Sequence, residues 1–158
     1  MSFKIMNSRL SKICCCLALA ILGVLVYGNH LHNTFQFDSV AYIENNLLLK
    51  NPESIINLNY WITGFFSRGL LIISMAINAY FDGLRPFGYH IFNLFLHILN
   101  SILVFFIFKK ILIHFKNHIY SIKNNTNISF FAATVFLIHP IQTESVIYII
   151  SRSEILAS

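Results

Sequence analysis

Apolar residues fall in long runs along this chain, and polar residues gather between them. The first run is Ile13 to Tyr27, the second is Phe87 to Ile113, and the third starts near Ile128 and reaches at least to His139. A bilayer core about 30 Å thick is crossed by about 20 apolar residues rising 1.5 Å each in a helix. The second run exceeds that length, and the first meets it through tilt and snorkelling of its flanks. The pattern therefore predicts crossings at 13–28, 87–113 and 128–139, a long loop at 29–86 and a short loop at 114–127. A further helix begins within 141–158. A cleaved signal peptide is the competing reading of the first run, with Val26 and Gly28 tolerable beside a cleavage site. No small-residue A-x-A pattern follows, which favours an anchor.

The long loop is not uniformly polar. YWITGFF (60–66) and GLLIISMAINAYF (69–81) are apolar but separated. The second stretch has thirteen residues and would reach only about 20 Å as a helix. Both are expected to lie in the interface or against the bundle, with a cramped extra hairpin as the alternative.

Composition agrees with the pattern. The 158 residues are 56% hydrophobic and 11% charged, against roughly 25% charged in soluble domains. The mean hydropathy is +0.67. An all-α, polytopic membrane bundle is the fold class implied. Cys14, Cys15 and Cys16 are adjacent, so they build no disulfide framework and read as small buried apolar side chains.

Charge orients the crossings. Lys4, Arg9 and Lys12 precede the first run, and Lys109, Lys110, Lys116 and Lys123 lie at the end of the second run and in the loop that follows it, with no acid in either region. Short basic loops mark the cytoplasmic side. The amino terminus is expected inside, with 29–86 and the chain after His139 outside. The acids Asp38, Glu44, Glu53, Asp82, Glu144 and Glu154 all fall in these outer regions. Two N-glycosylation patterns, Asn124-Asn125-Thr126 and Asn127-Ile128-Ser129, fall in the cytoplasmic loop and read as an Asn-rich turn.

Polar residues inside the apolar runs are the candidates for chemistry. His90, Asn93, His97 and Asn100 share one helical face, where interhelical hydrogen bonding is the ordinary role. FLIHPIQTES (136–145) interrupts the third run: Pro140 is expected to end that crossing, and Gln142 to Glu144 to start the next helix. Thr143 and Glu144 would then serve as helix caps or as walls of an outer cleft. The ionisable set assigned to the outer side is Asp38, Arg68, His90, His139, Glu144, Arg152 and Glu154. Acids with nearby arginines suit a phosphorylated, membrane-delivered substrate, because arginine holds phosphate oxygens and a carboxylate accepts a proton from a hydroxyl. No H-E-x-x-H, Gly-rich phosphate loop or Cys/His metal spacing occurs, and the dispersed basic residues do not suggest nucleic acid. A transporter is disfavoured, since the runs show no inverted repeat.

Three stretches in order, FDSVAYIENN, RGLLIISMAINAYFDGLRPFGYHIFNLFLHILN and FFAATVFLIHPIQTESVIYIISRSEILA, resemble the amino-terminal membrane region of the transmembrane-and-tetratricopeptide-repeat O-mannosyltransferases and their bacterial relatives. The resemblance covers residues 30 to 157, nearly the whole chain. It implies a partial C-type membrane glycosyltransferase fold with interfacial helices in the first outer loop. It also implies transfer of a sugar, mannose by the family's name, from a polyprenyl-phosphate donor to a protein or other acceptor on the non-cytoplasmic face. By matching position Asp38 is the first-loop acid, a general base or metal-assisting carboxylate. Arg68 is a phosphate contact, and His90, His139, Glu144, Arg152 and Glu154 belong to substrate-binding blocks. A divalent metal is open. The partners implied are a lipid-linked sugar, an acceptor protein or glycan, and membrane lipids. For a bacterial protein the location is the inner membrane, with a periplasmic active face.

The chain departs from the family where Asp38 is followed by Ser39 rather than a second acid, and where Gly69 replaces a proline. The repeats and later membrane helices are absent from the sequence, and SRSEILAS reads as an uncapped helical pattern. The chain is therefore expected to be a piece of a longer enzyme, inactive alone. A non-enzymatic or degenerate membrane scaffold is the alternative.

Overall fold

The computed structural model describes residues 2–36, 38–40, 43, 45, 47–50, 58–116 and 125–158, and no strand occurs among the described residues. The helices are α1 (Ser2–Tyr27), α2 (Leu47–Lys50), α3 (Leu58–Asp82), α4 (Pro86–Lys116), α5 (Asn125–Ile138), α6 (Gln142–Ile147) and α7 (Arg152–Ala157). Short 3-10 turns occupy Gly28–His30 and Ile149–Ser151.

Two helical segments, Arg9–His30 and Pro86–His114, are long and apolar enough to cross a membrane. Their most apolar windows are only 17% and 28% buried, whereas a core helix of a soluble domain hides most of its surface. On α1 the outward residues Leu10, Ile13, Leu17, Ile21 and Val24 are each more than half exposed. Their spacing of three and four residues makes one continuous apolar face, which is stable against lipid rather than water. The third expected crossing falls in α5, whose 14 residues reach about 21 Å. The expected loop residues 117–124 lie outside the described residues.

One expectation needs correction. The stretches 60–66 and 69–81 are not separate helices but parts of the 25-residue α3. The junction Ser67-Arg68-Gly69 contains no proline, and a glycine inside a helix costs only about 1 kcal/mol, too little to break it. Over its described side chains α3 is two-faced. Leu71, Met75, Ala76 and Ala79 are buried, while Leu70, Ile77, Tyr80 and Phe81 are exposed.

The chain forms two compact units. One comprises Met1–Gly28 and His97–Gln142, and the other Asn29–Leu96 and Thr143–Ser158. In the first, Leu19 of α1, Phe105 of α4, and Ala133 and Leu137 of α5 make the core. A Cβ at Gly23 would stand 2.7 Å from Ile98 Cγ1, so the absence of a side chain permits the close approach of α1 and α4. Polar groups fasten the same unit. The Tyr27 hydroxyl and His97 Nε2 both donate to the Leu137 carbonyl, each at 3.0 Å. That carbonyl lies in the last turn of α5, where the helix leaves acceptors unpaired. Ser101 donates to the Ala133 carbonyl at 3.3 Å, and Lys109 donates to Thr126 Oγ1 at 2.7 Å.

The second unit has its own core of Phe35, Ile43, Leu49, Leu71, Met75, Ala76, Ala79, Tyr89, Ile149 and Ile150. Its tight turn between α3 and α4 is built by side chains from both helices. Gly83 takes φ 63°, the left-handed conformation that ends helices at low steric cost, and its N–H donates to the Ala79 carbonyl at 3.0 Å. The Tyr89 hydroxyl donates to the Gly83 carbonyl at 3.3 Å, and Asn78 Nδ2 to the Gly88 carbonyl at 3.1 Å.

Candidate functional site

The second unit encloses a polar interior whose centre is Arg152. This residue opens α7 and is fully buried. Its Nε donates to Asn93 Oδ1 at 2.6 Å, Nη1 to Ser74 Oγ at 3.2 Å and Nη2 to the Tyr89 carbonyl at 3.1 Å. The guanidinium also lies 5.7 Å from the ring centre of Tyr89 and 4.8 Å from that of Phe92, within cation–π range. Tyr89, Phe92 and Asn93 share one face of α4 by their spacing. Ser74 comes from the buried face of α3, where its hydroxyl also donates to the Leu71 carbonyl at 2.8 Å. The fork of arginine donors thus joins α7 to α3 and α4 through neutral oxygens and aromatic faces. Burial pushes its pKa down to about 10, opposed by Tyr89, so the charge persists at neutral pH.

The remaining members of the expected set are distributed as follows. Asp38 is exposed, and its main-chain N–H donates to the Tyr148 hydroxyl at 3.2 Å. Ser39 is only 1% exposed, with its hydroxyl unpartnered among the described residues. Asp38 and the position of the missing second acid therefore differ sharply in exposure. His90 is buried, with Nε2 at 3.2 Å from the Asn33 carbonyl. Glu154 is exposed and accepts from Ser145 Oγ at 2.6 Å, linking α6 to α7. Glu144 is exposed in the first turn of α6. His139 belongs to the other unit, where its exposed ring accepts the Ile141 N–H at Nδ1, 3.3 Å away. Arg68 lies on α3, but its side chain is outside the described residues.

The polar stripe on α4 resolves into particular bonds. Asn93 meets Arg152, His90 meets Asn33, and His97 meets the Leu137 carbonyl. Ser74, Tyr89, Phe92 and Tyr148 are participants that sequence reasoning missed. Ser74 carries a faint signal as the lone serine of the apolar stretch 69–81, and Tyr148 carries none. Among the described residues, no group of three or more His, Cys, Asp or Glu could hold a metal ion.

The helical fold, with its lipid-suited outer faces and its buried polar ties, defines an all-α membrane protein. Comparison with known proteins narrows that class. The chain is 28% identical over 151 residues to human protein O-mannosyl-transferase TMTC1, covering 88% of this chain and 16% of the relative. It is 32% identical over 152 residues to human protein O-mannosyl-transferase TMTC2, covering 90% and 17%. It is 26% identical over 171 residues to Drosophila melanogaster protein O-mannosyl-transferase Tmtc3, covering 96% and 18%. These matches support a TMTC-like family of proteins named protein O-mannosyl-transferases, and the chain spans about one sixth of the length of these relatives. No family model matches it, and no solved structure matches it.

Proposed function

We propose that this chain is part of a membrane glycosyltransferase that moves a sugar, mannose by analogy with the names of its relatives, from a polyprenyl-phosphate donor to a hydroxyl of an acceptor protein. The reaction takes place on the non-cytoplasmic face, the side to which the charge distribution assigns Asp38. The observation that carries the reading is the exposed Asp38 carboxylate on a segment tied to Tyr148 of the stretch FFAATVFLIHPIQTESVIYIISRSEILA, in a chain whose relatives are named for mannosyl transfer.

In this reading Asp38 accepts the proton of the acceptor hydroxyl as its oxygen attacks the anomeric carbon, and the lipid phosphate departs with the bonding electrons. Arg68 contacts the departing phosphate. Arg152 is wholly enclosed, so it contributes positive potential from within the unit rather than a direct bond, an effect that low surrounding dielectric strengthens. Glu144 and Glu154, both exposed, bind the acceptor. His90 holds the Asn33 segment that precedes Asp38. His139 remains a substrate-contact candidate on its own unit.

The test uses the complete gene product in membranes, supplied with lipid-linked mannose. Asp38→Asn should reduce transfer by about 100-fold or more, the lower end of the range for a lost general base being about 100-fold. Undiminished transfer would remove Asp38 from the mechanism. The alternative of a degenerate scaffold draws on Ser39 in place of a second acid, and wild-type protein with no transfer to any acceptor would favour it.

A further inference from the structure

Tyr148 is given no part in the chemistry above, yet its hydroxyl lies against the main chain of the proposed base, 110 residues away in sequence. The base of its side chain is firmly held. Tyr148 is extended (φ −83°, ψ 110°) as the residue before the 3-10 turn Ile149–Ser151. Its N–H donates to the Glu144 carbonyl at 2.9 Å. Ile149 and Ile150, which follow it, are buried in the core of the unit, and Arg152 is locked into α3 and α4. A half-buried phenol on such a mount is a fixed point.

The segment bearing Asp38 is anchored by apolar contacts on either side, at Phe35 and Ile43, both buried. Between these anchors, Asp38 and Ser39 are helical. The Tyr148 oxygen accepts the N–H at Asp38, and Gln36 accepts the next, from Ser39, at 3.0 Å.

We infer that Tyr148 is a positioning residue for Asp38: its phenol oxygen fixes the main chain from which the carboxylate projects. The inference rests on the reading of Asp38 as the base. A misplacement of about 1 Å in a catalytic group lowers rate by up to about 100-fold without loss of binding, so the tether has a kinetic consequence distinct from its contribution to folding.

Tyr148→Phe keeps the ring and its packing while deleting the oxygen. In the complete protein, hydrogen–deuterium exchange in peptides covering 38–45 should accelerate, with α3 and α4 unchanged. Turnover should fall by about 10-fold, intermediate on the scale for misplacement, while KM for the lipid-linked donor stays within about twofold and the thermal midpoint stays within about 2 °C, as for a loss below 1 kcal/mol. Unchanged exchange at 38–45 would overturn the tether. Faster exchange with unchanged turnover would overturn its catalytic relevance, as would a turnover loss matched by loss of folded protein. An Asp38→Asn variant of full activity would instead overturn the underlying reading, whatever Tyr148→Phe does.

Discussion

Arg152 and Asn93 meet at 2.6 Å through Nε and Oδ1, and both are completely enclosed. A buried cation is thereby solvated by a neutral amide, a hydroxyl, a carbonyl and two aromatic faces. Such an arrangement is stable only while its oxygens stay in place, because an uncompensated buried charge costs several kcal/mol.

Asn93→Leu should therefore destabilise more than Arg152→Met. The first leaves the charge in place and removes its shortest bond, at a cost of about 3 kcal/mol or more. The second removes the charge and fills most of its volume, so the loss should be about 1–2 kcal/mol smaller. Thermal unfolding of the two variants in one detergent decides the order, and the reverse order would contradict the account of the guanidinium as the costly group.

At the start of α4, a Cβ added to Gly88 would stand 2.5 Å from Asp82 Oδ2 and 3.0 Å from Asp82 Cβ. Gly88→Ala must displace both, and a loss of about 1–3 kcal/mol follows. Shortening the obstructing side chain as well, in Asp82→Ala/Gly88→Ala, should return part of that loss. Additive destabilisation in the double variant would mean the crowding lies elsewhere.

Tyr27 and His97 share the Leu137 carbonyl as acceptor. Tyr27→Phe and His97→Leu should each cost about 1 kcal/mol, since one donor remains. The double variant leaves the carbonyl unsatisfied by either side chain and should cost more than the sum, by about 0.5 kcal/mol or more. A double-mutant cycle on thermal or denaturant midpoints measures the excess.

Ser39→Asp would supply the second acid expected from the family resemblance, but at a position 1% exposed. A carboxylate placed there without a cationic partner should destabilise the protein by about 3 kcal/mol or more at neutral pH. The penalty should shrink on acidification, because burial raises the carboxyl pKa and the neutral form is cheaper to enclose. A midpoint that rises relative to wild type as pH falls from 7 to 5 is the expected result.

The apolar runs, the break at Pro140 and the polar stripe of α4 are legible in sequence because each rests on local rules: hydropathy over a window, proline's missing donor, and helical spacing. The continuity of α3 is not. The Ser-Arg-Gly at the junction of its halves looks like an interruption, and only packing along the helix decides that it is not one. Arg152 illustrates a different barrier. Its neighbours come from residues 74, 89 and 93, none of them acidic, so no charge pattern announces that it is enclosed. The Asp38–Tyr148 tether is illegible for the same reason, a contact between a main-chain donor and a residue of no unusual composition. Of the candidate site, the sequence offers the ionisable side chains and the structure supplies their company.

The cut at the end of α5 has a consequence beyond ending a helix. In an uninterrupted helix the Leu137 carbonyl would take the N–H of Ile141, four residues on. Here the chain turns at Pro140, and that N–H goes to the His139 ring instead. The freed oxygen becomes the common fastening for Tyr27 and His97. Mending the helix would undo the joint: a chain continuous through Pro140 would spend on itself the atom that α1 and α4 share in gripping α5.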